Sequence, residues 1–275
     1  MRLTSFHITR LLIAMLLFCF KSNAQQLAFH HLTVENGLSQ NAVLAIGQDN
    51  QGFIWIGTYN GLNKYLPGPD RFKRILSPSN SVITYHCLYE DRKGNIWAGT
   101  NAGLYRVNTE KGDKPELVEF APTGSSGDRG VRAILEDRSG DFWIGTTMGL
   151  FRIRKSGNQT ETKHFQHNPQ DATSISSDFI TAIEEDRQGR IWVGTHINGV
   201  NQYDSRTGVF KRFTHQPGGK SIINNNIRKL LIDKESRMWI GTQEGISVLD
   251  EQGNNLYSFQ QNDGDAESLS QNSVY

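Results

Sequence analysis

Five near-identical stretches, each centred on a tryptophan, govern what this chain can fold into. Trp55, Trp97, Trp143, Trp192 and Trp239 are all the tryptophans it has, and they stand 42, 46, 49 and 47 residues apart. An aspartate lies six positions before every one: Asp49, Asp91, Asp137, Asp186 and Asp233. A glycine lies three before in four copies (Gly52, Gly94, Gly140, Gly189), with Ser236 in the fifth. Gly-Thr follows two and three after each tryptophan, from Gly57-Thr58 to Gly241-Thr242. A closing glycine comes six after, as Gly61, Gly103, Gly149 and Gly245, or seven after, as Gly199. Repeats of about 40 to 50 residues belong either to β-propeller blades or to helical arrays.

Residue types choose the strands. Each period reads as short β-rich runs broken by turn chemistry, such as Gly52-Phe53-Ile54-Trp55-Ile56-Gly57-Thr58, then Asn60-Gly61, then Leu62-Asn63-Lys64-Tyr65. No stretch after the N-terminal segment holds an apolar 3.6-residue period long enough for a helix. Asp-x-x-Gly suits a tight turn, because the carboxylate can accept amides two residues on while glycine supplies positive φ. Gly-Thr-x-x-Gly suits a hairpin. In the second period the runs predict a leading strand at Val82 to Glu90, a tryptophan strand at Asn95 to Thr100, a third at Leu104 to Asn108 and an outer one at Leu117 to Phe120. Four short antiparallel strands per period make a propeller blade. The fold class expected is therefore all-β, a β-propeller with five complete blades. Leu269-Ser270-Gln271-Asn272-Ser273-Val274-Tyr275 repeats Leu38-Ser39-Gln40-Asn41-Ala42-Val43-Leu44, which predicts the first strand of a sixth blade in an incomplete ring. Leu27 to Thr33, with alternating Leu27, Phe29 and His31, reads as the strand that would complete a final blade. A closed five-bladed ring is the competing arrangement.

Composition narrows the class. With 29 basic and 28 acidic residues, the net charge of +1 gives no electrostatic case for nucleic acid or a membrane surface. Arg2 and Arg10 precede an apolar run from Leu11 to Phe20, and Ser22-Asn23-Ala24 suits a signal peptidase cutting before Gln25, so residues 1–24 are expected to be an export signal and 25–275 the partial propeller. The bulky Phe18 before Cys19 argues against a lipoprotein site. Cleavage would leave 26 basic against 28 acidic residues, and Cys87 as the lone cysteine, so no internal disulfide would brace the domain. The other repeats carry Ala45, Ala133, Ala182 and Lys229 at that position, which marks Cys87 as a small packing residue.

Asp-x-x-Gly-x-[Ile/Phe/Met]-Trp-x-Gly-Thr-x-x-Gly-[Leu/Ile/Val], led in by Leu32-Thr33-Val34-Glu35-Asn36-Gly37-Leu38-Ser39, resembles the two-component regulator propeller repeat, and the resemblance runs from about Leu27 to Tyr275. That family forms the periplasmic sensor region of hybrid two-component histidine kinases. Seven-bladed propellers, often in tandem, are followed there by a β-sandwich, a membrane helix and cytoplasmic signalling domains. The resemblance implies an N-terminal fragment of such a protein, exported to the periplasm, its full-length form anchored in the inner membrane and homodimeric. A small-molecule or oligosaccharide ligand, such as a polysaccharide breakdown product, would be its signal.

The repeated residues read as frame: tryptophans packing between blades, aspartates forming turns. Function is sought where the repeats differ. Eleven before each tryptophan, on the strand facing the channel of a propeller, stand Leu44, His86, Arg132, Thr181 and Arg228. The residues before them are apolar or aromatic, so period-two alternation turns this set the other way. His86, Arg132, Thr181 and Arg228 are the candidate ligand-binding residues, suited to a polar or acidic group. A merely solvated channel wall would show the same polarity. Tyr59 and His196, in the loops after Gly-Thr, are candidates for stacking on a sugar ring. No zinc spacing is visible among the histidines, and Asp263-Gly264-Asp265-Ala266-Glu267 lacks the glycine and the final acid of a calcium loop. No nucleophile elbow, phosphate loop or His-Glu-x-x-His motif occurs. No cofactor, no metal and no catalytic residue are expected here, and kinase activity would belong to a C-terminal part. A secreted propeller enzyme, resembling streptogramin lyases or a glycan-active hydrolase, is the alternative, and a pure scaffold is a third.

Overall fold

The computed structural model describes residues 29–66, 68, 71–75, 82–109, 112–120, 130–157 and 159–274. The expected export signal at 1–24 and Leu27 lie outside them. Met1–Leu32 and Thr33–Tyr275 form separate units. In the first, residues 29–32 carry no strand, so the alternation at Phe29 and His31 does not produce one there.

The second unit consists of five four-stranded antiparallel sheets. The first holds β1 (Val43–Gln48), β2 (Ile54–Thr58), β3 (Gly61–Leu66) and β4 (Arg71–Ile75); the second β5 (Tyr85–Glu90), β6 (Ile96–Thr100), β7 (Gly103–Asn108) and β8 (Lys114–Val118). The third holds β9 (Val131–Glu136), β10 (Phe142–Thr146), β11 (Gly149–Ser156) and β12 (Gln159–Phe165). The fourth holds β13 (Ile180–Glu185), β14 (Ile191–Thr195), β15 (Val200–Asp204) and β16 (Val209–Phe213). The fifth holds β17 (Ile227–Ile232), β18 (Met238–Thr242), β19 (Gly245–Leu249) and β20 (Asn255–Phe259). The leading strands β1, β5, β9, β13 and β17 touch in succession, which sets the blades in a ring. This is a β-propeller.

Two strands of blade two differ from expectation by more than one residue, each for a local reason. The leading strand of blade two begins at Tyr85 rather than Val82, because the Thr84 amide donates to Asn101 Oδ1 and its hydroxyl to the Tyr59 carbonyl, outside any ladder. The outer strand occupies Lys114–Val118 rather than Leu117 to Phe120. A tight turn at Gly112 and Asp113, both at positive φ, starts it early, and Phe120 leaves the sheet to pack edge-on against Phe151 of the next blade at 5.2 Å.

The repeated residues explain the blade. In all five, the tryptophan Nε1 donates to Oδ2 of the aspartate six before, at 2.7–2.8 Å. The other carboxylate oxygen accepts the amides two and four residues on, as from Ser139 and Asp141 to Asp137. One side chain thus closes the turn and fixes the indole. The threonine hydroxyl donates to the carbonyl of the closing glycine at 2.8–3.0 Å, pinning the next hairpin. Each tryptophan but the last then packs into the following blade: Trp55 with Tyr85 and Ile96, Trp97 with Val131 and Ile144, Trp143 with Ile180 and Tyr203, Trp192 with Ile227 and Met238. Removing such a ring would cost about 3–5 kcal/mol.

Glycine two after the tryptophan is required by close approach. A Cβ on Gly145 would lie 2.6 Å from Ile180 of blade four, and one on Gly194 2.6 Å from Ile227 of blade five. Residues 261–274 repeat this docking. Val274 lies over Gly241, and its amide donates to the Thr242 carbonyl at 3.0 Å. The loop before it copies an earlier one: Ser268 Oγ donates to the Asp265 carbonyl as Ser174 Oγ does to that of Asp171, both at 2.8 Å. Asp265 Oδ1 accepts the Glu267 amide, a turn role that suits the connecting-loop reading of that acidic stretch. Residues 269–274 form no strand.

A second connection runs between the turns. Glutamates seven before the tryptophan accept an amide from the preceding blade: Asn50 to Glu90 at 2.8 Å, then Arg92 to Glu136 and Arg138 to Glu185, both at 2.9 Å. Arg92, Arg138 and Arg187 also donate to carbonyls of the following turn. Among the described residues no strand pairing joins blade five back to blade one. Large apolar side chains are exposed on both: Val43 and Ile46 on the first, Leu231, Tyr257 and Phe259 on the fifth.

Candidate functional site

The five residues eleven before the tryptophans share an unusual backbone position. In every blade the pairing between first and second strands slips there, as between Tyr85↔Thr100 and Cys87↔Gly99, so that the register passes over His86. The same slip passes over Leu44, Arg132, Thr181 and Arg228. A bulge of one residue bends the strand and re-aims the extra side chain. It also reverses the alternation. Val131, before the bulge, packs toward Gly99 of the preceding blade, while Ala133, after it, faces Gly145 beside Ile180 of the next. Simple period-two alternation therefore does not describe these strands, and the candidate residues leave the blade surface through the bulge.

Because the leading strands are neighbours, the bulges are too. Arg132 Nη1 lies 3.3 Å from His86 Nδ1 of the preceding blade, and its guanidinium carbon 5.6 Å from the Phe179 ring of the following one. Thr181 Oγ1 is buried and has no hydrogen-bond partner among the described residues. Arg228 holds the same bulge in blade five. Burial pushes the Cys87 thiol up to about 12, although the Gly99 amide and the charges of Lys229 and Arg132 pull the other way. The thiol is therefore protonated at neutral pH and unsuited to attack.

Tyr59 and His196 stand at the neighbouring rim. In each blade the amide four after the tryptophan donates to the carbonyl thirteen before it, at 3.0–3.4 Å, from Tyr59 to Ala42 through Gln243 to Asn226. Tyr59 is 52% exposed, consistent with a side chain that can meet a ligand. His196 is less free than the sequence suggests, since one face of its ring stacks on Phe179 at 4.9 Å and 17°. Sequence reasoning missed Phe179, Asn226 and Lys229. Phe179 is the one aromatic residue thirteen before a tryptophan, and that was the available signal. Across all five blades, positions thirteen to ten before and four after the tryptophan hold no Asp or Glu, while they hold Arg132, Arg228, Lys229, His86 and His196. Such a donor-rich rim suits oxyanion acceptors.

Comparison with known proteins agrees with the architecture. The two component regulator propeller pattern matches residues 37–60, 77–102, 125–148, 174–196 and 221–244. Over 53 residues, 19% of this chain and 4% of the other, the sequence is 38% identical to Histidine kinase P4 of Formosa agariphila. The fold matches the extracellular domain assigned to a hybrid two component system of B. thetaiotaomicron with a TM-score of 0.70 and 27% identity, over 87% of this chain and 31% of that one. It also matches virginiamycin B lyase from Staphylococcus aureus with a TM-score of 0.56 and 16% identity, over 80% and 70% of the two chains, a likeness of fold alone. The chain thus spans under a third of the length of the extracellular domain it matches. No helix among the described residues is long and apolar enough to cross a membrane.

Proposed function

Because the chain belongs to the two-component regulator propeller family, we propose that it is the ligand-sensing module of a hybrid two-component sensor histidine kinase. It works in the periplasm of a protein held in the inner membrane, and membrane and kinase parts carry its output. Docking of Val274 on Gly241 in the manner of Ile227 on Gly194 supports a sixth blade, in a ring that the family resemblance puts at seven. The signal is a glycan fragment bearing an acidic group, taken at the channel rim. One observation carries this reading: the bulges that set His86 against Arg132 and repeat with Arg228, at a rim whose sequence positions hold cations and no acids.

Binding follows from charge and geometry. Arg132 offers a planar fork to a carboxylate or sulfate, Thr181 adds a hydroxyl, and Tyr59 offers an exposed ring for a sugar face. Occupancy ties blades two to five together across the axis, so the signal is the relative placement of blades. Calorimetry on the full-length protein with matched neutral and acidic oligosaccharides tests this. An Arg132→Ala/Arg228→Ala double variant is expected to lose at least tenfold in affinity for the acidic set. Unchanged affinity would remove the rim from the site, and release of cleaved product would favour the lyase or hydrolase reading.

A further inference from the structure

We infer that the crevice between blades three and four, away from the channel rim, is a second site, one that takes a single oxyanion, a carboxylate or a sulfate. Opposite each tryptophan on the third strand stand Lys64, Arg106, Arg152, Gln202 and Val248. Lys64 and Arg152 lie over the tryptophan rings, at 4.8 and 5.8 Å.

Between blades one and two this cation is neutralised from the following blade. Asp113, in the turn before the outer strand of blade two, puts Oδ1 3.5 Å from Lys64 Nζ, and its other oxygen takes Lys73. It is 9% exposed and held at φ 63, a conformation L-residues seldom adopt. A carboxylate from blade two thus completes the crevice beside Trp55.

Between blades three and four no carboxylate of the following blade does the same among the described residues. Arg152 has a side chain only 11% exposed, and Asp141 Oδ2 is 3.8 Å from its Nε, which donates to no acceptor among the described residues. Asp141 is already held bidentately by Arg154, at 2.8–3.1 Å. In blade four the turn between β15 and β16 corresponds to the one that holds Asp113; Gly208 stands where Asp113 does, one before the outer strand, and Ser205 lines the crevice. A cavity of about 290 Å³ remains, with Arg152, Arg154, Arg138, Arg187 and Ser205 on its walls. Asp137 and Glu185, the other acids there, are engaged by Trp143 and by the Arg138 amide. A soluble oxyanion entering from the surface would meet Arg152 as Asp113 meets Lys64, and would link blade three to blade four. The site takes its anion whether free or carried on a sugar, since Trp143 is buried and offers no stacking face.

The test uses the full-length protein in sodium sulfate, in glucuronate and in sodium chloride at matched ionic strength, read by thermal unfolding and calorimetry. The parent is expected to bind sulfate or glucuronate, with an unfolding temperature above that in chloride. Arg152→Met, which keeps the stem over Trp143, should weaken binding at least tenfold. In the Arg132→Ala/Arg228→Ala background, where the rim no longer contributes, Ser205→Asp should abolish binding while raising the unfolding temperature in chloride alone, since it places a carboxylate in the crevice. Should Arg152→Met not fold, Ser205→Asp decides alone. Binding of sulfate only identifies a free oxyanion, and binding of glucuronate an acidic sugar. No response beyond chloride, or equal binding by Arg132→Ala/Arg228→Ala with and without Ser205→Asp, overturns the inference. Arg132→Ala/Arg228→Ala should leave this binding intact, so the two sites fail separately.

Discussion

Each tryptophan holds its place because one carboxylate does two jobs at once. In blade four Asp186 accepts Trp192 Nε1 at 2.7 Å, the amides of Gln188 and Arg190, and Arg190 Nε. Asp186→Ala leaves the buried Trp192 Nε1 and the half-buried donors of Gln188 and Arg190 unmatched and is expected to destabilise by about 3 kcal/mol in urea unfolding. Asp186→Asn, which keeps an acceptor, should cost less. Glu184 gives a prediction of opposite character. Burial, and then the neighbouring charge of Glu185, push its carboxyl up to about 7. The folded state therefore holds this proton more tightly than the unfolded one. Stability from this group is present at acid pH and is lost as pH rises from about 4.5 through 7. Glu184→Gln should be more stable than the parent at pH 8, by on the order of 1–3 kcal/mol, with the gap closing below pH 4.5; a pH-independent difference would contradict the assignment. The turn role of the aspartates was legible from Asp-x-x-Gly alone. Their bond to the indole was not, because a spacing of six says nothing of where the side chain returns.

At the scale of elements, blades are joined by hollows and rungs. Gly145 provides a hollow for Ile180, and Gly145→Ala should cost about 1–3 kcal/mol through overpacking. Gly219, at ordinary φ with its nearest neighbour 3.4 Å from a built Cβ, serves as the control and should lose far less. Of the rungs, Glu136→Ala deprives the Arg92 amide of its acceptor at an exposed turn, a loss of about 1 kcal/mol in the same assay. Strand content and the four-strand order were readable from turn chemistry and period. The bulge was not, because Val131-Arg132-Ala133 carries no mark of a slipped register, which falls between Gly145 and Thr146 on the partner strand. His86, Arg132, Thr181 and Arg228 became candidates in the sequence because they break the repeat, and Lys229 did not because it had been counted as a variant of a packing position.

At the scale of the whole molecule, blades one and five leave large apolar side chains exposed among the described residues. Ile46 is 67% exposed and Leu231 60%, on blades one and five. Apolar sheet faces of this kind invite other chains. The 275-residue chain produced alone is therefore expected to self-associate at micromolar concentration in light scattering, and Ile46→Lys/Leu231→Lys to reduce that. The number of blades in the ring is the feature least legible from sequence, since each repeat encodes contact with its neighbours and none encodes the closure angle. Val274 on Gly241 carries the same logic into biosynthesis. Each of these hollows is filled by chain that leaves the ribosome later, so the order of synthesis makes every blade available as a mould before the segment that fits it.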